Sequence, residues 1–310
     1  MPGNDATMTP TTAVDTQSEG AHVAGADEET HPLVSVVIPV RDGERYIGEA
    51  LRSALDQTLR DLEVVVADNA STDRTLEVVA ALGDDRVRVM PSAVDIGPGA
   101  NWNRAVRAAR GRFVKLLCAD DVLEPSCVEQ QVAAFATKEG DNIRLVCARR
   151  RIIDGGGHVL MERGFARRFS GTIQGPVAAR LVIRSGGNLI GEPAAVMFRK
   201  DDALAVGLFD EGAQYVIDLD LWLRLLRSGS LYVINKPLAS FRISAGSWSV
   251  SLAEKQAHQF RDLAQLHGRD PRLGVPHLDV VLGCLAARIL VAARRLVYWR
   301  ANGKGKSLGS

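Results

Sequence analysis

The sequence predicts an α/β fold: a mainly parallel central sheet with helices on both faces, followed by a helical C-terminal tail. Three observations predict it. Residues 34–38 and 62–67 are predominantly apolar, largely β-branched runs, as strands buried on both faces require. Between them, Tyr46, Ile47, Ala50, Leu51, Ala54 and Leu55 fall at helical spacing. Polar residues gather just after the strand runs: Arg41-Asp42, Asp68-Asn69-Ala70-Ser71 and Asp120-Asp121. Ligands of such sheets sit beyond the carboxyl ends of the strands, so these loops mark one site on one edge.

Taken in order, Pro39 ends the first strand, and a helix over about 46–55 leads to the second. The alternation repeats with a helix at about 73–82, a strand at 86–90, a helix at about 99–110 and a strand at 112–117. Residues 145–151 read as a strand, Gly155-Gly156-Gly157 as a turn, and 194–199 as another strand. Residues 219–227 form a short amphipathic helix closed by Gly229. Two further strands are expected at 231–235 and 238–243, then a helical pattern from Leu252 with a break around 270–276. No repeat or long linker interrupts 32–245, which reads as one catalytic-size domain with halves at about 33–137 and 138–245. Residues 246–310 read as a helical, basic extension.

Residues 1–31 hold six acids (Asp5, Asp15, Glu19, Asp27, Glu28, Glu29), no Lys or Arg, and no periodic apolar face, so a disordered arm is expected. The last 23 residues hold Arg288, Arg294, Arg295, Arg300, Lys304 and Lys306 and no acid. A net charge of +1 thus hides an acidic head and a basic tail. Near-neutral charge excludes a wholesale nucleic-acid binder. The longest charge-free run of the apolar tail is the eight residues 280–287, far short of the roughly 20 that span a bilayer. With no basic, apolar leader at the N-terminus, a cytosolic location is expected. Cys118, Cys127, Cys147 and Cys284 lack metal-ligand spacing and read as reduced thiols. The histidines, among them His31, His158, His258 and His267, show no ligand spacing either and are expected to be solvated.

The stretches VSVVIPVRDGERYIGEALRSALDQTLRDLEVVVADNASTDRT and DIGPGANWNRAVRAARGRFVKLLCADDVLEP resemble the nucleotide-binding half of family 2 glycosyltransferases, inverting enzymes of the GT-A fold. A weaker resemblance runs through GNLIGEPAAVMFRK and YVIDLDLWLRLLRSG. It implies transfer of a hexosyl-type sugar from a UDP- or dTDP-sugar to a saccharide or lipid-linked hydroxyl, in cell-envelope polysaccharide or glycolipid synthesis. A divalent Mg²⁺ or Mn²⁺ is implied as cofactor.

Residue by residue, Pro39 and Arg41 would border the base and ribose; the family usually has Tyr and Asn where this chain has Arg41 and Asp42. Asp42 also reads as a helix N-cap. Asp68 would accept the imide N–H of a uracil or thymine, its other reading being an Asx turn with Ser71 or Thr72 capping the next helix. Asn103 matches the stretch before the fourth strand. Asp120 would hold ribose hydroxyls and Asp121 the metal, since a hard cation takes one or two carboxylates plus diphosphate oxygens. Cys118 stands where the family often has a first acid. The other reading of this pair is a surface turn before Pro125.

Asp218 is the expected general base, with Asp220 in reserve and Ile217 where an acid usually stands. The competing reading of Asp218 is an N-cap of its helix. Glu192 and Arg242 would contact donor sugar, acceptor or phosphate. Replacement of two family acids leaves open an inactive nucleotide-sugar-binding or scaffold protein of the same fold. Gly97-Pro98-Gly99 lacks the third glycine of a dinucleotide fingerprint and does not follow the first strand, which argues against a nicotinamide enzyme, and Gly305-Lys306-Ser307 lacks the earlier glycine of a phosphate loop. The cationic apolar tail fits the cytoplasmic face of an anionic membrane.

Overall fold

A computed structural model of the chain describes residues 31–137, 139–244 and 256–303, with side chains through residue 291. All seven residues of β1 (Val34–Val40) are buried, and most of β2 (Leu62–Asp68) with them, as their mostly apolar runs require; the polar Ser35 donates to Glu63 at 2.6 Å. Each buried valine, leucine or isoleucine among them contributes about 1.5–3 kcal/mol by leaving water. The helix α1 (Ile47–Leu55) buries Ile47, Ala50, Leu51, Ala54 and Leu55, one stripe at the predicted spacing. α2 (Thr75–Ala80), β3 (Val87–Met90), α3 (Pro98–Ala108) and β4 (Phe113–Leu116) complete a parallel block in the order β3-β2-β1-β4.

The remaining described strands and α-helices begin with β5 (Val122–Leu123), α4 (Cys127–Phe135), β6 (Ile143–Ile153), β7 (Val159–Arg163), β8 (Gly171–Gln174), α5 (Gly175–Ser185) and β9 (Val196–Arg199). After them come α6 (Lys200–Ala205), α7 (Ile217–Leu225), β10 (Ser230–Arg242), α8 (Gln256–Gly268) and α9 (His277–Gly303). The sheet continues from β4 through antiparallel β9 to β6 and β10, which are parallel to each other. Both therefore run in the direction of β1 and β4, so the sheet is mainly parallel. Short β5, β7 and β8 add antiparallel edges.

Several local expectations are corrected. Pro39 does not end β1, which continues to Val40 in register with Asp68. Val37 accepts the N–H of Leu117, and the alternation of a parallel strand turns Pro39 to that same edge, past the end of β4. Its missing N–H therefore costs no ladder bond. The strands expected at 231–235 and 238–243 are one strand, β10, with register shifts at Pro237 absorbing the missing donor. Asp42 does not cap α1, whose N-cap residue is Tyr46. Its Oδ1 accepts from Thr72 N at 2.7 Å instead. Nor do Ser71 or Thr72 cap α2; Asp73 accepts the N–H of Thr75 at 3.0 Å.

α9 packs closely on α5, because Gly283 and Gly186 leave no side chain between the helices. A Cβ at Gly283 would stand 1.9 Å from the carbonyl oxygen of Ile183, and one at Gly186 2.4 Å from the N of Ala287. Gly186 also closes α5 with φ +72°, a left-handed conformation suited to glycine. The expected acidic arm lies, except for His31, outside the described residues. So do Leu252 and its neighbours, the side chains of Arg294, Arg295 and Arg300, and Lys304 and Lys306.

Candidate active site

A cavity of about 790 Å³ opens beyond the carboxyl ends of the parallel strands. Pro39, Arg41 and Asn69 border it from the β1 and β2 ends, Cys118, Ala119 and Asp120 from the loop after β4, and Asn188, Glu192 and Asp218 from the second half. The structure thus brings Pro39, Arg41, Asp120, Glu192 and Asp218 together around one space. Asp68, Asn103, Asp121, Asp220 and Arg242 lie behind its walls, each buried.

Arg41 pairs with Asp95, and Asp95 accepts from Asn69 Nδ2 at 2.6 Å, so the loops after β1, β2 and β3 are tied at the cavity rim. Asp68 at the end of β2 is 2% exposed. Its Oδ2 accepts from Ser71 N at 3.3 Å, while its Oδ1 is buried with no hydrogen-bond partner. The carbonyls of Ala67 and Asp68 are held from α3 by Asn101 at 2.8 Å and Arg104 at 2.6 Å. Asn103, on the same helix, does not reach the cavity. Its amide is spent on the backbone of Phe209, donating to O at 2.9 Å and accepting from N at 3.0 Å.

The Asp120-Asp121 turn divides its work. Asp120 faces the cavity, whereas Asp121 turns inward and is fully buried. Asp121 Oδ1 accepts from Arg242 N at 3.0 Å, and its Oδ2 has no partner. Burial, and then the charge of Asp120, push the Asp121 carboxyl well above the usual carboxylate range. Arg242 is 2% exposed and contributes no free guanidinium to the cavity. Its Nε donates to Asp120 O at 2.8 Å, its NH2 pairs with Glu49 at 2.7 Å, and its guanidinium lies over the Tyr46 ring at 4.6 Å.

The residues fit a hard divalent cation in donor chemistry: two adjacent carboxylates, one with an orphaned buried oxygen. Among the described residues no group of three or more His, Cys, Asp or Glu is arranged to hold a metal alone, so ligand oxygens would complete any such shell. Cys118 adds no anion, because burial and then the charges of Asp121 and Asp120 hold its thiol well above its ordinary value.

Asp218 sits in the first turn of α7 and is not its N-cap residue, which is Val216. Its Oδ1 accepts from Leu219 N at 2.7 Å and its Oδ2 from Asn188 Nδ2 at 2.9 Å. Burial, then the charge of Glu192, push its carboxyl up to about 7. Glu192 itself is held ionised: burial works against its charge, but the Arg150 pair outweighs that and leaves its carboxyl below the ordinary value. Arg150, 1% exposed on β6, pairs with both carboxylate oxygens of Glu192 and donates to Asn188 O at 2.9 Å.

Asp220 has a different task. It accepts from Arg224 Nε at 2.8 Å and meets His267 Nε2 at 2.9 Å, joining α7 to α8. His267, expected to be solvated, is fully buried for this reason. Asn188 and Arg150 were not singled out from the sequence. Asn188 lies inside the quoted GNLIGEP, and the middle arginine of Arg149-Arg150-Arg151 is the one that strand alternation turns inward.

The sequence profile of Glycosyl transferase family 2 matches residues 35–197, just over half of the chain. The chain belongs to glycosyl transferase family 2. An uncharacterized glycosyltransferase of Rickettsia prowazekii is 28% identical over 236 residues, 75% of this chain and 70% of that protein. The chondroitin synthase of Escherichia coli is 33% identical over 210 residues, 66% of this chain but only 28% of that protein. Among solved structures, Staphylococcus aureus TarS in complex with UDP-GlcNAc aligns with a TM-score of 0.59 at 22% identity, over 75% of this chain and 65% of that one. The mannosyltransferase PcManGT of Pyrobaculum calidifontis, in complex with GDP-Man and Mn²⁺, aligns at 0.59 and 17% identity, over 91% and 77%. At these identities the structures establish the GT-A fold of this family 2 chain.

Proposed function

We propose that this family 2 protein transfers a hexosyl-type sugar, with inversion, from a uridine or thymidine diphosphate donor to a hydroxyl of a saccharide or lipid-linked acceptor. The observation that carries the reading is Asp218: a carboxylate with a proton affinity near neutrality, fixed by two hydrogen bonds and facing the cavity that Pro39, Arg41 and Asp120 border. The E. coli relative named a chondroitin synthase and the UDP-GlcNAc complex of TarS support a nucleotide-sugar donor. The pyrimidine preference rests on the family resemblance, which sets an imide N–H against Asp68; its Oδ1 lacks a donor but is buried behind the cavity wall, so that contact requires the wall to open.

In this reading the acceptor O–H gives its proton to Asp218 as its oxygen bonds to the anomeric carbon. The bond from that carbon to the diphosphate breaks on the opposite face, its electron pair leaving with the diphosphate oxygen. Asp120 binds ribose hydroxyls, and Glu192 accepts from sugar hydroxyls while its charge keeps Asp218 basic. Asp121 would hold Mg²⁺ or Mn²⁺, which when bound offsets charge on the diphosphate. Inside the cell this chemistry suits cell-envelope polysaccharide or glycolipid synthesis at the cytoplasmic side.

A donor screen read by mass spectrometry tests the proposal. Purified protein with Mn²⁺ is incubated with a panel of UDP-, dTDP- and GDP-sugars. Release of nucleotide from a UDP- or dTDP-sugar is the expected result; release from none, or from GDP-sugars alone, overturns it.

A further inference from the structure

We propose that the outer face of α9, with the neighbouring face of α5, docks on an anionic lipid surface. On α9, Leu278, Val281, Leu285 and Ile289 are 65%, 41%, 52% and 72% exposed. At 3.6 residues per turn these four fall within less than a quarter of the helix circumference, a continuous apolar stripe. Arg180 and Arg184 of α5 stand on one flank, both reaching Asp279 from half-exposed positions at 2.5 and 3.1 Å. Arg288 is exposed on the other flank.

The balance of charge selects the occupant. α5 contains no acid, and the single acid among the described side chains of α9, Asp279, is 1% exposed. Apolar side chains ringed by cations suit the headgroup and acyl boundary of anionic lipid. A second copy of this face would set Arg180, Arg184 and Arg288 against the same residues. Nucleic acid would meet the cations but leave the leucines in water. No described helix is long and apolar enough to cross a membrane, so the contact is interfacial.

The reverse side of α9 gives the docking a purpose. Ala287 and Val291 line the cavity, so one helix presents its apolar stripe outward and walls the site inward. The close packing at Gly283 and Gly186 fixes α9 to α5 in that pose. The acceptor is therefore carried by a lipid, and the docked helix holds the cavity mouth beside it. That last step rests on the transfer reading, whereas vesicle binding does not, so the two fail separately.

The test is flotation of the full chain with vesicles of phosphatidylcholine alone, or of equal parts phosphatidylcholine and phosphatidylglycerol. Circular dichroism with thermal melting reports that each variant is folded. The chain is expected to float with the anionic vesicles only. R180Q/R184Q is expected to lower the partition coefficient about fivefold for each cation removed, and L285E/I289E to abolish flotation. Equal flotation of L285E/I289E and the parent chain overturns the proposal. So does a dimer in light scattering that L285E disperses while no vesicle binding is seen, which would assign the face to a second copy.

Discussion

Nδ2 of Asn188 donates to Oδ2 of Asp218 at 2.9 Å, and the same Asn188 accepts the N–H of Gly191 and donates to its carbonyl. The Gly191-Glu192 loop and the carboxylate of α7 are therefore one unit. Glu192 can influence Asp218 because Asn188 fixes both.

Glu192→Gln removes the charge that, after burial, raises the Asp218 carboxyl. A base works only when ionised, so turnover rises as pH climbs through its pKa. In Glu192→Gln that rising limb is expected at lower pH than the parent's, near 7, in a pH profile of donor turnover. A limb that does not move removes Glu192 from this role.

Asp220→Asn is expected to separate stability from chemistry. Asp220 lies in a buried network with Arg224 and His267, and breaking such a pair costs about 3 kcal/mol. Burial opposes its charge, yet these partners hold its carboxyl below 3.8. Its contribution is thus present above pH 3.8 and fades as pH falls through the lower folded value. Denaturant titration at neutral pH should show the loss, with turnover per folded molecule retained.

Arg242→Lys tests the clamp on the Asp120-Asp121 turn. A lysine lacks the planar fork that reaches Asp120 O and Glu49 together while lying over Tyr46. Affinity for UDP with Mn²⁺, measured by calorimetry, should fall about tenfold, or 1.4 kcal/mol. Unchanged affinity would make Arg242 a stability element alone.

Asn103→Ala leaves the buried N–H and carbonyl of Phe209 without their partner, at about 1–3 kcal/mol. Thermal melting should show it, while UDP affinity should not change. A selective loss of UDP affinity would return Asn103 to the nucleotide site.

The parallel half of the fold was legible because β1 and β2 are buried along nearly their whole length and carry mostly apolar, β-branched runs, interrupted only at Ser35 and Glu63 before the strand ends. β5, β7 and β8 escaped because two to five partly exposed residues at an edge leave little periodicity. On the site, the gathering of Arg41, Asp120, Glu192 and Asp218 follows from strand ends and motif order. What a string of letters hides is direction: Asp120 and Asp121 are neighbours, yet one faces the cavity and the other Arg242. Asp218 and Asp220 lie on one helix, about 200° apart, which sends one to the cavity and the other to His267. No local spacing marks His267 as buried, because its partner Asp220 stands 47 residues away.

Asp218 is the proposed base of nucleotide-sugar transfer. Its most direct test is the pH dependence of nucleotide release from the preferred donor, in the parent chain and in Asp218→Asn, with UDP affinity measured in both. The prediction is a rising limb near pH 7 in the parent, and a loss of about 10²–10⁴-fold in the variant with UDP affinity kept. Parent-level turnover by Asp218→Asn, with the same limb, would contradict it.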